Sequence, residues 1–525
     1  MKTRLVAAIV ALLAAAGPAA QAPRDNPFES AAPVLPRNAI DQVVFARLKS
    51  LNIRPARLCS DAVFVRRAYL DVIGTLPTAD EARAFIDDRD PSKRGALVDR
   101  LLARGEFADY WAMKWSDLLR VKSEFPINLW PNAVQAYHRW IRATIRDNVP
   151  YDQLARDLLT ASGSNFRVPP VNFYRAVQGR DPQTIAAAVA LTFMGARAER
   201  WPKERLAAMA AFFSSIGYKP TGEWKEEIVF FDREKAQVGP GAAPAAVFPD
   251  GTPARLAPGQ DPRAAFAGWL VAPENPWFAR AAANRTWFWL MGRGIVHEPD
   301  DIRPDNPPAN PELLALLERE LVGARFDLRH IYRLILNSTT YQLSAIPAST
   351  RAEAEANFAH ALVTPLDAEV LIDAVNAITG STDQYSSAIP EPYTFIPPDQ
   401  RSIQVADGSI TSSFLVAFGR SPRDTGLLSE RNSRPTAAQR LYLLNGGEIQ
   451  RKIQQGPRLQ ALLSGRGDWR SMLAGLYLTI LSRYPTADEE KIAGDYLQAA
   501  GATRRLAGQD LAWALINSAE FRYRH

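Results

Sequence analysis

Apolar residues recur along this chain at steps of three and four, and rarely at steps of two. In "FADYWAMKWSDLL" (107–119), Phe107, Tyr110, Trp111, Trp115, Leu118 and Leu119 fall on one side of a helix. In "AYHRWIRATI" (136–145), Tyr137, Trp140, Ile141 and Ile145 do the same. Aromatic stripes at this spacing build cores rather than ligand platforms. Only "EEIVFF" (226–231) reads as a short strand. The expected class is mainly α: a multi-helix, two-domain protein with helical hairpins and little strand.

The pattern contains a repeat. "PTADE" occurs at Pro77–Glu81 and again at Pro485–Glu489, each time after an apolar helical run holding Tyr69, Leu70 and Ile73 or Tyr477, Leu478 and Leu481. Thr followed three residues later by Glu is a capping box, in which hydroxyl and carboxylate satisfy orphan amides at a helix start. Proline before the cap ends the preceding helix, and the acids suit the positive helix N-terminus. The phrase predicts the corner of a helical hairpin, used twice.

Two stretches break the periodicity. Residues 236–261 are rich in Pro, Gly and Ala and read as a linker between an N-terminal helical domain, 38–235, and a C-terminal one, 262–525. Within the second lies a long loop, 381–433, whose first part (381–413) is polar and proline-broken yet keeps Tyr385, Tyr393, Phe395 and Ile396. A loop of that length in a compact unit is often functional.

The start of the chain predicts export. Lys2 and Arg4 precede an apolar run, Leu5–Ala16, and small residues around Ala20–Ala22; this is a signal peptide, 1–22, with cleavage expected after Ala19, Ala20 or Ala22. The run falls short of the roughly 20 apolar residues that span a bilayer. No later stretch is long enough either, so the mature chain has no expected transmembrane segment, and a periplasmic or secreted location follows. Without Lys2 and Arg4, 60 basic residues face 56 acidic ones, leaving +4, and the charges are scattered. Nucleic-acid binding gains no support from that distribution. Cys59 is the only cysteine, so no internal disulfide forms, and a free thiol in an exported protein is expected to be buried.

Local catalytic motifs are missing. His138, His297, His330, His360 and His525 form no zinc pair, and the chain has no nucleophile elbow, phosphate loop or dinucleotide fingerprint. The loop "HEPDDIRPDNPPANPE" (297–312) offers Asp300, Asp301, Asp305 and Asn306, but it lacks calcium-loop spacing and is stiffened by proline. Asn310 before Pro311 reads instead as a helix cap.

"FVRRAYLDVIGTLPTADEARAFI", "KRGALVDRLLARGEFADYWAMKWSDLLR" and "YDQLARDLLTASGSNF" resemble the N-terminal domain of planctomycete cytochrome C-type proteins. "NPWFARAAANRTWFWLMGRGIV", "FDLRHIYRLILNSTTYQLS", "LDAEVLIDAVNAITG", "FGRSPRD" and "LYLLNGGEI" resemble its usual partner, a domain of unknown function. The family's name implies haem, and relatives carry Cys-x-x-Cys-His where this chain has "LTFMGARAERWPKERLAAMAAFF" (191–213), without Cys or His. Covalent attachment needs two thiols and an axial ligand. The chain is therefore expected to be haem-free, with no cofactor. The resemblance carries no catalytic assignment. Polar residues of its second-domain motifs, Asn284, Arg285, Asp300, Asp301, Arg420, Glu430 and Arg431, are interaction candidates; the competing expectation is that they pair with one another and tie the long loop to the helices. The expected function is an exported, non-catalytic binding or scaffold protein of the cell envelope, with an envelope protein or glycan as partner. The alternative is an extracellular hydrolase using Asp, Glu and Arg between the domains; electron transfer through a noncovalent cofactor ranks third.

Overall fold

The computed structural model describes residues 26–236, 246–432, 434–465, 467–499 and 503–525. The expected signal peptide, 1–22, and part of the linker stretch, 237–245, lie outside the described residues. Helices dominate. Among the described residues the strands are few: Glu227–Phe231, expected from "EEIVFF", lies between Ile216–Pro220 and Gly163–Ser164 in an antiparallel sheet, and Thr364–Pro365 pairs with Tyr523–Arg524.

Both "PTADE" corners join two helices. Asp61–Ile73 ends at Gly74 in the left-handed conformation (φ 59°), and Thr78 caps Ala79–Asp87 in a full capping box. Trp469–Leu481 ends at Ser482 with the same φ of 59°, and Thr486 exchanges the equivalent bonds with Glu489 before Ala487–Ala499. Tyr69 and Tyr477 each reach the glutamate of their own corner. The two hairpins also meet. Helix Trp469–Leu481 packs on Ala79–Asp87, and buried Arg66 of the first hairpin donates to the carbonyls of Ile480 (2.8 Å) and Phe521 (2.9 Å). A phrase written some four hundred residues apart thus marks two hairpins that pack on one another.

The core runs through both halves of the chain. The stripe on helix Gly105–Leu118 is buried, and it packs on rings from the second half: Trp111 lies 4.4 Å from Tyr332 and 5.3 Å from Trp289, while Trp115 lies 5.6 Å from Trp289. Tyr151 stacks on Phe278 at 4.7 Å. Polar contacts reinforce this contact. Asp41, fully buried, accepts from the backbone amides of Thr339 (2.9 Å) and Thr340 (2.8 Å). Even the described end of the linker stretch is engaged, with Phe248 stacked on Phe212 and Trp269. Cys59 is buried as expected.

Candidate functional site

Buried charges collect where the halves meet. Helix Asp61–Ile73 supplies Asp71, Gly105–Leu118 supplies Lys114 and Asp117, and the helix beginning at Ala368 supplies Glu369, with Asp367 at its cap. The long loop adds Arg420, Arg423 and Arg431, and the final strand adds Arg524. Asp71, Lys114, Asp117, Asp367, Arg431 and Arg524 face a recess of about 150 Å3, with Tyr110 and Trp289 in its wall.

Arg431 is the hub. It reaches Asp117 Oδ2 through Nε (3.1 Å) and Nη2 (2.8 Å), and grips Glu369 through Nη1 (2.6 Å) and Nη2 (3.1 Å). Forks of this kind hold geometry as well as charge. Arg423 takes the other oxygen of Asp117 at 2.9 Å, Lys114 pairs with Asp367, and Arg420 lies 3.3 Å from Glu369. Asp71 sits between Arg524 (3.0 Å) and the Tyr341 hydroxyl (2.8 Å).

The electrostatics follow from burial set against pairing. Burial alone would raise Glu369, but Arg431 and Arg420 outweigh it and bring its carboxyl down to about 2. Asp367 is likewise lowered, burial being overcome by Lys114 and Arg431. For Asp71 burial wins over Arg524, and its carboxyl is raised. Burial would lower Arg431, but Asp117 and Glu369 hold its guanidinium well above its ordinary value. The five cations here outnumber the four carboxylates by one, and the acids spend their oxygens on those partners.

The sequence candidates divide. Arg431 stands in the recess, and Arg420 supports it through Glu369. Arg285 and Asp300 form a buried pair one layer away at 3.2 Å: Arg285 also donates to the Thr192 and Leu191 carbonyls, and Asp300 accepts from the amide of Leu428, a recess residue. The remaining three stand apart from the recess. Asn284 exchanges two bonds with the Val296 backbone, Asp301 pairs with Arg200 and Arg303, and Glu430 accepts from the amides of Asp424 and Thr425. Asn310 caps its helix, as its place before proline predicts. Sequence reasoning missed Asp71, Lys114, Asp117, Asp367, Glu369, Arg423 and Arg524. A signal existed: "YWAMKWSDLL" and "LDAEVLIDAV" put charges on faces that are otherwise apolar.

The haem that the family's name implies lacks its attachment residues at 195–201. Residues 195–201 hold neither thiol nor imidazole; Ala196 and Ala198 are buried, and the Ile302 amide closes onto the Gly195 carbonyl at 2.8 Å. Cys59 lies on another segment, beneath Arg94. These residues do not fit covalently attached haem. Among the described residues, no group of three or more His, Cys, Asp or Glu side chains is placed to hold a metal ion.

A second surface lies around Trp130. Its ring meets Tyr393 of the long loop at 5.4 Å and Trp224 of the Ile216–Phe231 hairpin at 6.5 Å, with the Lys225 ammonium over both indoles. Phe125, Trp224 and Phe395, on the same three loops, are 81%, 63% and 68% exposed. The middle of the long loop is anchored: Asp373 accepts from the amides of Ser402 and Ile403, Gln404 donates to Asp109, and the Ser123 amide donates to Asp407.

These features define a mainly α-helical protein whose two halves interlock over a recess of paired charges. Residues 39–215 match the family model PSCyt2, Protein of unknown function (DUF1549), and residues 262–497 match PSD1, Protein of unknown function (DUF1553). The chain thus carries the two planctomycete cytochrome C-associated domains, one in each half. No curated protein and no solved structure matches it. No described helix is long and apolar enough to cross a membrane.

Proposed function

We propose that this chain is an exported, non-catalytic binding or scaffold protein of the cell envelope, and that it holds its partner, an envelope protein or glycan, through the aromatic surface around Trp130. The observation carrying this reading is the meeting of Trp130, Trp224 and Tyr393 from three loops, with Trp224 and, on the two other loops, Phe125 and Phe395 largely in water. Ring faces left exposed on anchored loops are the kind of group that dominates binding at interface centres. The recess is the ground for the hydrolase alternative, because Asp71, Asp117 and Asp367 share it. Their engagement by Arg524, Arg423, Arg431 and Lys114 weighs against it, since a general base needs a free oxygen within reach of its proton.

The test is a triple variant, Phe125→Ala, Trp224→Ala and Phe395→Ala. These side chains are exposed, so thermal stability should be unchanged. Capture from an envelope extract and binding to arrayed envelope glycans should both be compared with the unaltered chain. Loss of a saturable partner supports the proposal; full retention by the triple variant refutes it. Turnover of an envelope glycan or peptide, abolished by Asp117→Asn in a folded protein, would establish the hydrolase instead.

A further inference from the structure

An apolar opening lies elsewhere and shares no residue with either surface above. It is a groove of about 500 Å3 walled by Phe28, Val63, Ala345, Ile346 and Val363, beside the ribbon that pairs Thr364–Pro365 with Tyr523–Arg524. Ile346 and Val363 are 43% and 55% exposed. That volume falls in the range of small-molecule sites, about 300–1,000 Å3.

Its charged rim is lopsided. Arg440, from helix Ala437–Asn445, and Arg522, just before the final strand, both line the groove and a smaller neighbouring pocket. Among the described residues neither arginine has a carboxylate partner. Arg522 spends its Nε on the Ser518 carbonyl, and burial together with Arg440 lowers its pKa. The acid at this rim, Glu520, is already taken by Arg483 at 2.6 and 2.8 Å. His525 also lines the groove, and burial brings its ring down to about 3, leaving it neutral at pH 7. An open apolar trough thus ends at two uncompensated guanidinium groups.

We propose that this groove binds a free medium-chain fatty acid, with the acyl chain along Phe28, Val63, Ile346 and Val363 and the carboxylate between Arg440 and Arg522. Planar guanidinium groups match a carboxylate's two oxygens, and the trough supplies the desolvated surface that a single acyl chain seeks. A two-chain membrane lipid asks for a larger apolar volume and is the competing source.

Calorimetric titration of the full chain with octanoate, decanoate and dodecanoate, each below its micelle concentration, provides the test. One molecule should bind, with affinity rising about fourfold per methylene until the groove is filled. Dodecanol and dodecyltrimethylammonium should bind about tenfold or more weaker than dodecanoate. Ile346→Glu, on an exposed position, should remove binding of every chain. Arg440→Glu with Arg522→Gln should remove the preference for carboxylate. Circular dichroism of each variant confirms that it is folded. Equal binding of the three dodecyl compounds, or undiminished binding to folded Ile346→Glu, would overturn the proposal. Adsorption to phosphatidylglycerol vesicles that is blocked by Ile346→Glu, without uptake of dodecanoate, would assign the groove to membrane lipid and likewise overturn it.

Discussion

Glu369→Gln should be one of the most damaging single-atom exchanges in this protein. The Glu369 side chain is fully buried, gripped by Arg431 at 2.6 and 3.1 Å and approached by Arg420 at 3.3 Å. Glutamine keeps the shape and removes the charge, leaving two buried cations short of one partner. The carboxyl falls from 4.5 to about 2 on folding, which corresponds to about 3 kcal/mol of coupling. Breaking a buried ion pair by removing one member costs about 3–5 kcal/mol. The two routes agree on the order of magnitude. Because the folded pKa is depressed, this stability is fully present above the unfolded value and is lost as pH falls toward the folded one. Urea unfolding of both proteins at pH 7 should therefore show a gap of about 3–5 kcal/mol, and by pH 3.5 about 1 kcal/mol of that gap should have closed. A gap below 1 kcal/mol at pH 7, or one that stays constant between the two pH values, would refute the account of the cluster as a coupled ionic knot.

Asp373 should behave with the opposite sign. Burial outweighs Arg401 and the amides of Ser402 and Ile403, raising its carboxyl to about 6. Its contribution is thus greatest below the unfolded value and falls by about 3 kcal/mol as pH rises through 6, so Asp373→Asn should gain on the unaltered chain by that amount between pH 4 and pH 7 in parallel urea titrations. Thr78→Ala and Thr486→Ala should each cost about 0.5–2 kcal/mol in thermal or urea unfolding while leaving partner capture intact. Expressed with a c-type cytochrome maturation system, the protein should remain colourless, and a stoichiometric Soret band surviving denaturation would contradict that. N-terminal sequencing of protein from its native host should start near residues 20–23, and a first residue of Met1 would overturn the export reading.

The sequence by itself determined the helices, their buried faces and their corners, because these depend on spacing and on neighbours within a few residues. Trp111 and Trp115 turn inward because a 3.6-residue period places them on one side. Thr78 and Thr486 cap because a hydroxyl lies three residues before a glutamate. The strand at Glu227–Phe231 follows from a run of β-branched and aromatic residues. The family was legible too, through ordered motifs along most of the chain. What surrounds the recess was not. Asp71, Lys114 and Asp117 look like ordinary polar interruptions of apolar helices until Arg524, Asp367 and Arg431 arrive from about 250 to 450 positions away. A local pattern says which face of a helix is buried but not which distant charge meets it there. The same holds for Trp130 and Trp224, unremarked in their own loops until they meet Tyr393, and for Arg440 and Arg522, which have no carboxylate partner among the described residues. Pairing over such separations is decided by how the two halves pack, so only the tertiary structure set which charges were spent and which were left free.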